Sequence, residues 1–489
     1  MDVDGVGVTT YAYDDAGRLL SLENPFEEVT AFAYDAGGRV TERTLDSGMY
    51  ETVSYDVRSR VTQVLLKNSS NQTVRTQTWT YDPASNVLTH TTGGVQTSYG
   101  YDDIDQLVSE SRNGYSASYT YDANGNRLTR TVNSVTEDYV YDDADKLLEV
   151  KIGQQTVKEF TYDSAGRTTA VETSAGTTSL AYDYESRVTG ITYPNQSTNS
   201  FTYNGLDTRV GMSDSGGSKT FLRDGVSVTS PVLSDGSATY TPAISERRSS
   251  TTTFYHAGIK NGDSQTNTSE SVTASVQYDA FGNVTSSSGT WQGPFAYGGP
   301  YGYQSDPDSG LKLLGHRYYD PSTGRFLTRD PIKDGRNWYG YCRNNGPSLA
   351  DPTGLGFLSD LWEGAKDWYF GIDVIGPGGE PVRVGGWPAL FNRKQNAMTV
   401  NETVHLNDPD DYVDYLNDSH WSRHEKMHIY QEETYHDGNA ISFVATVIVQ
   451  YLLALSHDGA PYEVEAELAT TRRWRPDMTG YYEWYLGTQ

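Results

Sequence analysis

Through the first two hundred residues, aromatic and β-branched side chains alternate with small polar ones in short runs, as in Thr78-Trp79-Thr80-Tyr81 and Ser118-Tyr119-Thr120-Tyr121. A period of two marks a strand with one face turned to a core. The runs end on Tyr-Asp, at Tyr13-Asp14, Tyr34-Asp35, Tyr55-Asp56, Tyr81-Asp82, Tyr101-Asp102, Tyr121-Asp122, Tyr141-Asp142, Tyr162-Asp163 and Tyr182-Asp183, with a degenerate tenth copy at Tyr203-Asn204. Aspartate favours the first position of a type I turn, and in the best copies a glycine follows three residues later to take a positive φ. Gly125 and Gly166 are such positions. Second turn signals, among them Asp46-Ser47-Gly48, Asn113-Gly114 and Pro194-Asn195, fall midway between copies. Each period of about twenty residues therefore holds two strands of about six residues and two tight turns. A fixed period of this length means stacked supersecondary units, with the tyrosines laddered on one face.

Composition narrows the picture. A chain of 489 residues is too long for one compact core. Its net charge of −27 argues against nucleic acid or an anionic membrane as partner. Low hydrophobicity with 38 tyrosines and 48 glycines fits a thin β-shell. The one cysteine, Cys342, excludes a disulfide within the chain. Repeats begin almost at once, with no basic and apolar leader, as though the array continued a longer one. The longest apolar stretch, residues 440–455, is short of the ~20 residues a membrane span needs. Ser442, Thr446 and Gln450 also place a polar stripe on it, as on a buried soluble helix.

The strict period fades over 211–275 and is followed by a dense segment, 276–355. It contains Tyr278-Asp279-Ala280-Phe281-Gly282-Asn283, Arg317-Tyr318-Tyr319-Asp320-Pro321, Gly324-Arg325-Phe326-Leu327, Arg329-Asp330-Pro331, Asn344-Asn345-Gly346-Pro347 and Asp351-Pro352-Thr353-Gly354-Leu355. These motifs resemble the Rhs (rearrangement hotspot) repeat-associated core. The upstream copies resemble the YD repeats of Rhs proteins, insecticidal toxin-complex C subunits and teneurins. The resemblance covers residues 1–355. It implies a spiral β-sheet wound into a hollow shell around a variable C-terminal toxin, and a self-cleavage site after the Asp-Pro-x-Gly-Leu motif, here Leu355-Gly356. It also implies an aspartate pair as the cleaving groups, matched by Asp330 and Asp351 with Asp334 as a third candidate. Two carboxyls held close share one proton, so one can serve as base and the other as acid. The competing reading is that these Asp-Pro pairs are only turn formers.

Residues 356–489 lack the repeat and hold six of the nine histidines. His424-Glu425-Lys426-Met427-His428 is an HExxH motif. On a helix, His424 and His428 share a face and can bind one zinc ion, with Glu425 beside the metal-bound water as general base. Residues 421–433 contain no Gly or Pro, and Asn417-Asp418-Ser419 offers a cap. Residues 397–406 read as a strand ahead of that helix, and 462–468 as an acidic helix after it. That order resembles the small gluzincin metallopeptidases. The resemblance implies Glu463 as third zinc ligand, with Glu465 as a competitor and Glu467 orienting a histidine. The longer metzincin pattern fails, because Gln431 and Thr434 stand where it needs Gly and His. Arg472, Arg473, Arg475, Tyr481 and Tyr482 are possible oxyanion donors, although such a basic cluster more commonly pairs with surface carboxylates.

The chain thus reads as a mainly β protein with a YD-repeat shell (1–210), an irregular β region (211–275), an Rhs core (276–355) and a small α+β metallopeptidase-like domain (356–489). The implied protein is a secreted or cell-surface bacterial effector, delivered by secretion machinery and restrained by an immunity protein. It would use Zn2+ to cut a peptide or protein in a target cell. A different class of function, surface recognition of a glycan or partner cell by the repeats with a non-catalytic tail, is compatible with the same repeats.

Overall fold

The structure, a computed structural model, describes residues 2–3 and 5–356 together with four short strands between residues 372 and 406. Residues Met1–Asp360 and Leu361–Gln489 are separate compact units.

The period-two runs are strands. In Tyr115–Tyr121, Ala117 and Tyr119 are buried while Ser116, Ser118 and Thr120 face solvent. Twenty-one such strands, from Thr10–Tyr13 to Gly217–Thr220, follow one another as an antiparallel meander in a sheet that closes on itself as a barrel. The pairing register slips just before the repeat tyrosine, as at Tyr101, Tyr121 and Tyr141. This bulge adds twist and redirects the side chain. The tyrosine hydroxyl then donates to a backbone carbonyl of the preceding repeat: Tyr34 to Leu19 at 2.8 Å, Tyr121 to Leu107 at 2.7 Å and Tyr203 to Val188 at 2.7 Å.

The turn after each tyrosine is built around its aspartate. Asp163 Oδ1 accepts the N–H groups of Ala165 and Arg167, both at 3.0 Å, and Oδ2 accepts Arg167 Nε at 2.6 Å. Burial tends to raise the Asp163 carboxyl, but these N–H groups and the guanidinium outweigh it and hold the carboxyl below its usual range. Arg167 then reaches forward, donating to the Asp183 carbonyl at 2.6 Å and lying 5.0 Å over the Tyr182 ring. Arg18, Arg39, Arg60 and Arg187 do the same toward Tyr34, Tyr55, Tyr81 and Tyr203. The rungs of the ladder are therefore hydrogen bonds and cation–ring contacts, each worth about 0.5–1.5 kcal/mol.

Gly125 and Gly166 have φ of 81° and 80°, as the turn reading requires. Glycine is not what imposes that conformation: Ser59, Ser85, Asp105 and Asp145 occupy the same turn position with φ between 59° and 76°. The aspartate clasp fixes the turn, and glycine only lowers its strain.

A second, eight-stranded antiparallel sheet runs from Leu222–Arg223 to Val284–Gly289. It packs on the meander through small apolar clusters. Ile244 and Phe254 join Leu19, Leu22, Leu45, Met49 and Leu66, and Phe281 joins Leu107 and Tyr119. Charges also cross this interface. Glu51 takes Arg43 Nη2 at 2.7 Å and lies 2.9 Å from His256 Nδ1. Burial pushes the Glu51 carboxyl up, but Arg43, His256 and Arg75 hold it well below the usual range.

In the tail unit, four strands form a sheet in the order Ile372–Ile375, Pro381–Val384, Thr403–Leu406, Ala397–Val400. The single strand expected over 397–406 is two antiparallel ones. The candidate helices at 421–433 and 462–468 lie outside the described residues.

The turn chemistry makes a contrast testable by thermal melting. Gly38 has φ of 80° and open space around a would-be Cβ, so Gly38→Ser should shift stability by under about 1 kcal/mol. A Cβ at Gly166 would meet Arg329 and Tyr339 at 2.6 and 2.7 Å, so Gly166→Val should cost at least about 3 kcal/mol. Equal melts for the two variants would refute the assignment.

Candidate active site

Four short strands, Gln304–Ser305, Lys312–Leu314, Arg317–Asp320 and Arg325–Phe326, make a small antiparallel sheet. Arg317, Tyr318 and Tyr319 in the third strand are all buried, so an arginine enters the interior. Its guanidinium lies 3.7 Å over the Phe326 ring. A cation there requires anions and acceptors around it. Arg317 Nη2 lies 3.3 Å from Asp330 Oδ2 and 3.7 Å from Asp351 Oδ2. Nη1 donates to the Trp338 carbonyl at 3.1 Å, and Nε donates to the Gly354 carbonyl. The two aspartates read from the sequence are thus brought together across one arginine.

Asp330 opens a turn. Its N–H donates to the Trp338 carbonyl at 2.8 Å, and its Oδ1 accepts Ile332 N–H at 2.9 Å. Burial raises its carboxyl to about 6, with Asp351 and Asp334 adding to the shift and Arg317 opposing it. At mildly acidic pH, Asp330 therefore holds a proton while still touching a cation.

Asp351 begins the Asp-Pro-Thr-Gly-Leu turn. Gly354 N–H returns to the Asp351 carbonyl at 3.3 Å, and Gly354 has φ of 70° close against the Leu314 carbonyl. The Thr353 carbonyl accepts His316 N–H at 2.9 Å, tying the segment to the small sheet. This bend carries the chain back over the aspartate that starts it. Asp351 Oδ1 accepts Leu355 N–H at 3.1 Å, and Oδ2 accepts Gly356 N–H at 3.2 Å. Asp334 also lies here, since its carboxylate would be the first atom group met by a Cβ on Gly356. Asp351 thus lies against the Leu355–Gly356 peptide with Asp334 at Gly356, and Asp330 is joined to Asp351 through Arg317.

Arg317 was readable only as part of a motif. Its signal was available: an arginine set in an apolar, aromatic strand run must find buried carboxylates. Arg329, the neighbour of Asp330, instead lies against Gly166 of the repeat sheet. His424, Glu425, His428 and Glu463 lie outside the described residues.

Residues 13–48 and 162–198 match the RHS Repeat family model. The fold is similar to that of two solved structures: the Tc holotoxin pore of Photorhabdus luminescens (TM-score 0.56, 16% identity) and TcdB2–TccC3 (TM-score 0.56, 17% identity). Each likeness covers 71% of this chain and 21% or 22% of the solved one. Among curated proteins, the chain is 34% identical over 141 residues to YibJ of Escherichia coli K12, covering 57% of that protein. It is 37% identical over 112 residues to the tRNA3(Ser)-specific nuclease WapA of Bacillus spizizenii and 39% identical over 90 residues to the tRNA nuclease WapA of Bacillus subtilis. It spans only 5% and 4% of those two proteins. Among the described residues, no helix is long and apolar enough to cross a membrane.

The electrostatics predict a pH-dependent mutant. A carboxyl raised to about 6 contributes stability that is fully present below its unfolded value, near 4, and lost as pH rises through 6. Arg317 offsets that loss. Arg317→Gln should therefore destabilise the shell unit by about 3–5 kcal/mol at neutral pH and by much less near pH 4.5. Denaturant melts at the two pH values decide it; a pH-independent deficit would contradict the ion triad.

Proposed function

We propose that this RHS-repeat chain is a toxin-delivery protein. Its shell and core cut their own chain between Leu355 and Gly356 and free a C-terminal zinc peptidase. The observation that carries the first half is the Asp351 carboxylate bound to the N–H groups on either side of the junction, with Asp330 facing it across Arg317.

The step is a hydrolysis. Asp351, as the base, takes a proton from a water molecule as the water oxygen bonds to the Leu355 carbonyl carbon. Asp330, protonated because of its burial, delivers a proton to the Gly356 nitrogen as the C–N bond breaks. One water is consumed, Leu355 ends as a carboxylic acid, Gly356 ends as an amine, and the pair again shares one proton. A carboxyl pKa raised in this way is the usual mark of a general acid. Purified 54.1 kDa protein should resolve into fragments of about 39 and 15 kDa by intact mass, in proportion to residue number. Asp330→Asn and Asp351→Asn should remain whole. Because Asp330 acts protonated, the rate should fall about tenfold per pH unit above 6. A wild-type chain that stays intact, or variants cut at its rate, would refute the reading.

The second half rests on the HExxH motif and its donor chemistry. Two imidazoles four residues apart and one carboxylate, His424, His428 and Glu463, would supply a three-ligand set of the kind zinc takes, with a position left open. Zinc bound there would supply a Lewis acid for a peptide carbonyl. Glu425 would take the proton of the attacking water and pass it to the leaving amine. The WapA relatives are nucleases by name; this chain's −27 charge and HExxH tail suit a peptide or protein substrate in a target cell instead. A cognate immunity protein and secretion machinery belong to the same reading. The full chain should contain one zinc by elemental analysis, and His424→Ala should lose it. Glu425→Gln should keep the metal and lose about 10²–10⁴-fold of peptidase activity. Undiminished toxicity in that zinc-loaded variant would exclude peptide hydrolysis as the killing activity.

A further inference from the structure

The ladder along the repeats changes chemistry at three successive positions. Four residues after the turn aspartate, most repeats carry Arg18, Arg39, Arg60, Lys146, Arg167 or Arg187, but the three middle ones carry Asn86, Gln106 and Asn126. Each amide still clasps its own aspartate: Asn86 to Asp82, Gln106 to Asp102 and Asn126 to Asp122, all at 2.9 Å. What the substitution adds is an acceptor. A guanidinium offers only donors, whereas an amide can hold its aspartate through nitrogen and present an oxygen to an incoming group.

All three oxygens are taken by the segment that carries the candidate site. Asn86 Oδ1 accepts Asn345 Nδ2 at 2.7 Å, and Gln106 Oε1 accepts Asn344 Nδ2 at 3.0 Å. Asn126 Oδ1 accepts both Arg325 Nη1 at 2.6 Å and Asn337 Nδ2 at 2.7 Å. Arg325 also lies 4.9 Å over the Tyr141 ring and donates to the Asp145 carbonyl. It thus covers, from across the interface, the ring that a repeat arginine at 126 would cover. A fourth amide, Asn283, clasps Asp279 in the same way but meets the core segment through its nitrogen, donating to the Pro321 carbonyl.

Arg325 and Asn337 bracket the loop that holds Asp330. Its ends are joined by Phe326 N–H to the Tyr339 carbonyl at 2.9 Å and by Asp330 N–H to the Trp338 carbonyl. One amide oxygen on the shell therefore holds both ends of the loop. Thr168 adds a second anchor, donating its N–H and hydroxyl to the Leu327 carbonyl at 2.9 and 3.0 Å. Next along the seat, Cys342, Arg343 and Asn344 are three consecutive non-glycine residues at positive φ. Such strain persists only where surrounding contacts over-determine it.

We propose that Asn86, Gln106 and Asn126 form a built seat for the core segment, and that Asn126 is a positioning residue which sets Asp330 against Asp351. Self-cleavage then occurs only once the middle repeats have folded and received the core. This rests on the self-cleavage reading above. Misplacing a reacting group by about 1 Å can cost up to 10²-fold in rate, so the seat has leverage on the reaction without touching it.

The test uses the full chain and follows cleavage by intact mass, with thermal melting alongside. Asn126→Arg restores the ordinary repeat clasp on Asp122 and Tyr141 and evicts Arg325. It should leave the melt unchanged or raised while slowing cleavage about 10–100-fold. Asn126→Gln, which keeps the acceptor, should cleave close to the wild-type rate. The exchange Asn126→Arg with Arg325→Asn re-pairs arginine and amide from opposite sides and should recover most of the lost rate. If the wild type shows no Asp330-dependent cutting, the self-cleavage reading falls and this proposal falls with it. If cutting depends on Asp330 but Asn126→Arg cuts at the wild-type rate, this proposal alone is wrong. A slow Asn126→Arg that also melts early and is not recovered by the exchange would reduce the seat to general shell stability and overturn it too.

Discussion

Everything in the shell unit depends on one carboxylate per repeat. The turn aspartate closes its own turn by accepting two backbone N–H groups, and with its second oxygen it fixes the side chain four residues on. That side chain is thereby aimed at the next tyrosine, whose hydroxyl already points back to the preceding repeat. Each repeat is incomplete until its neighbour is in place. Coupling of this nearest-neighbour kind makes a long array cooperative even though each contact is small, and it adds to the apolar clusters beneath the sheet. A chain with 38 tyrosines and modest hydrophobicity is the composition such a ladder demands.

The interior is held in a different way. Where the repeat sheet meets the eight-stranded sheet and the core segment, small apolar clusters alternate with buried ions such as Glu51 with Arg43, and Arg317 with Asp330 and Asp351. Buried pairs are poor sources of net stability, because desolvation cancels much of their attraction. What they provide is definite geometry. Around Leu355–Gly356 that geometry includes a carboxyl whose burial keeps it protonated up to about pH 6 beside one that accepts both flanking N–H groups. A site of this design needs its environment more than its residue list, since the same Asp-Pro turns in water would be ordinary carboxylates.

Legibility followed the range of the interactions. Strands, turns and the positive φ at Gly125 and Gly166 were readable because they arise within five or six residues. The aspartate clasp was half readable: the turn was, but the role of residue i+4 was not, so glycine received credit that belongs to the carboxylate. The strand drawn over 397–406 was one element in the pattern and two in the sheet, because period-two alternation does not say where a strand folds back on itself. Asp330 and Asp351 were visible as turn formers and through family likeness, whereas Arg317, which joins them, was hidden among aromatic neighbours. The amides at 86, 106 and 126 stood in plain view as departures from the repeat. Nothing in the one-dimensional pattern said what those departures received.

The sequence by itself determined the period, the strand–turn alternation, the mainly β class and the candidate junction. The period, the alternation and the class come from local hydrogen bonding and from which face each side chain presents, whereas the junction came from family resemblance alone. Only the tertiary structure decided that residues 199 and 259 apart, Asn126 with Arg325 and Asn86 with Asn345, complete one another. It alone placed two aspartates on one arginine at the end of the core. The physical reason is that an acceptor or a charge on a strand specifies the kind of partner it needs and not the partner's position along the chain. Closure of the sheet around the core selects that position.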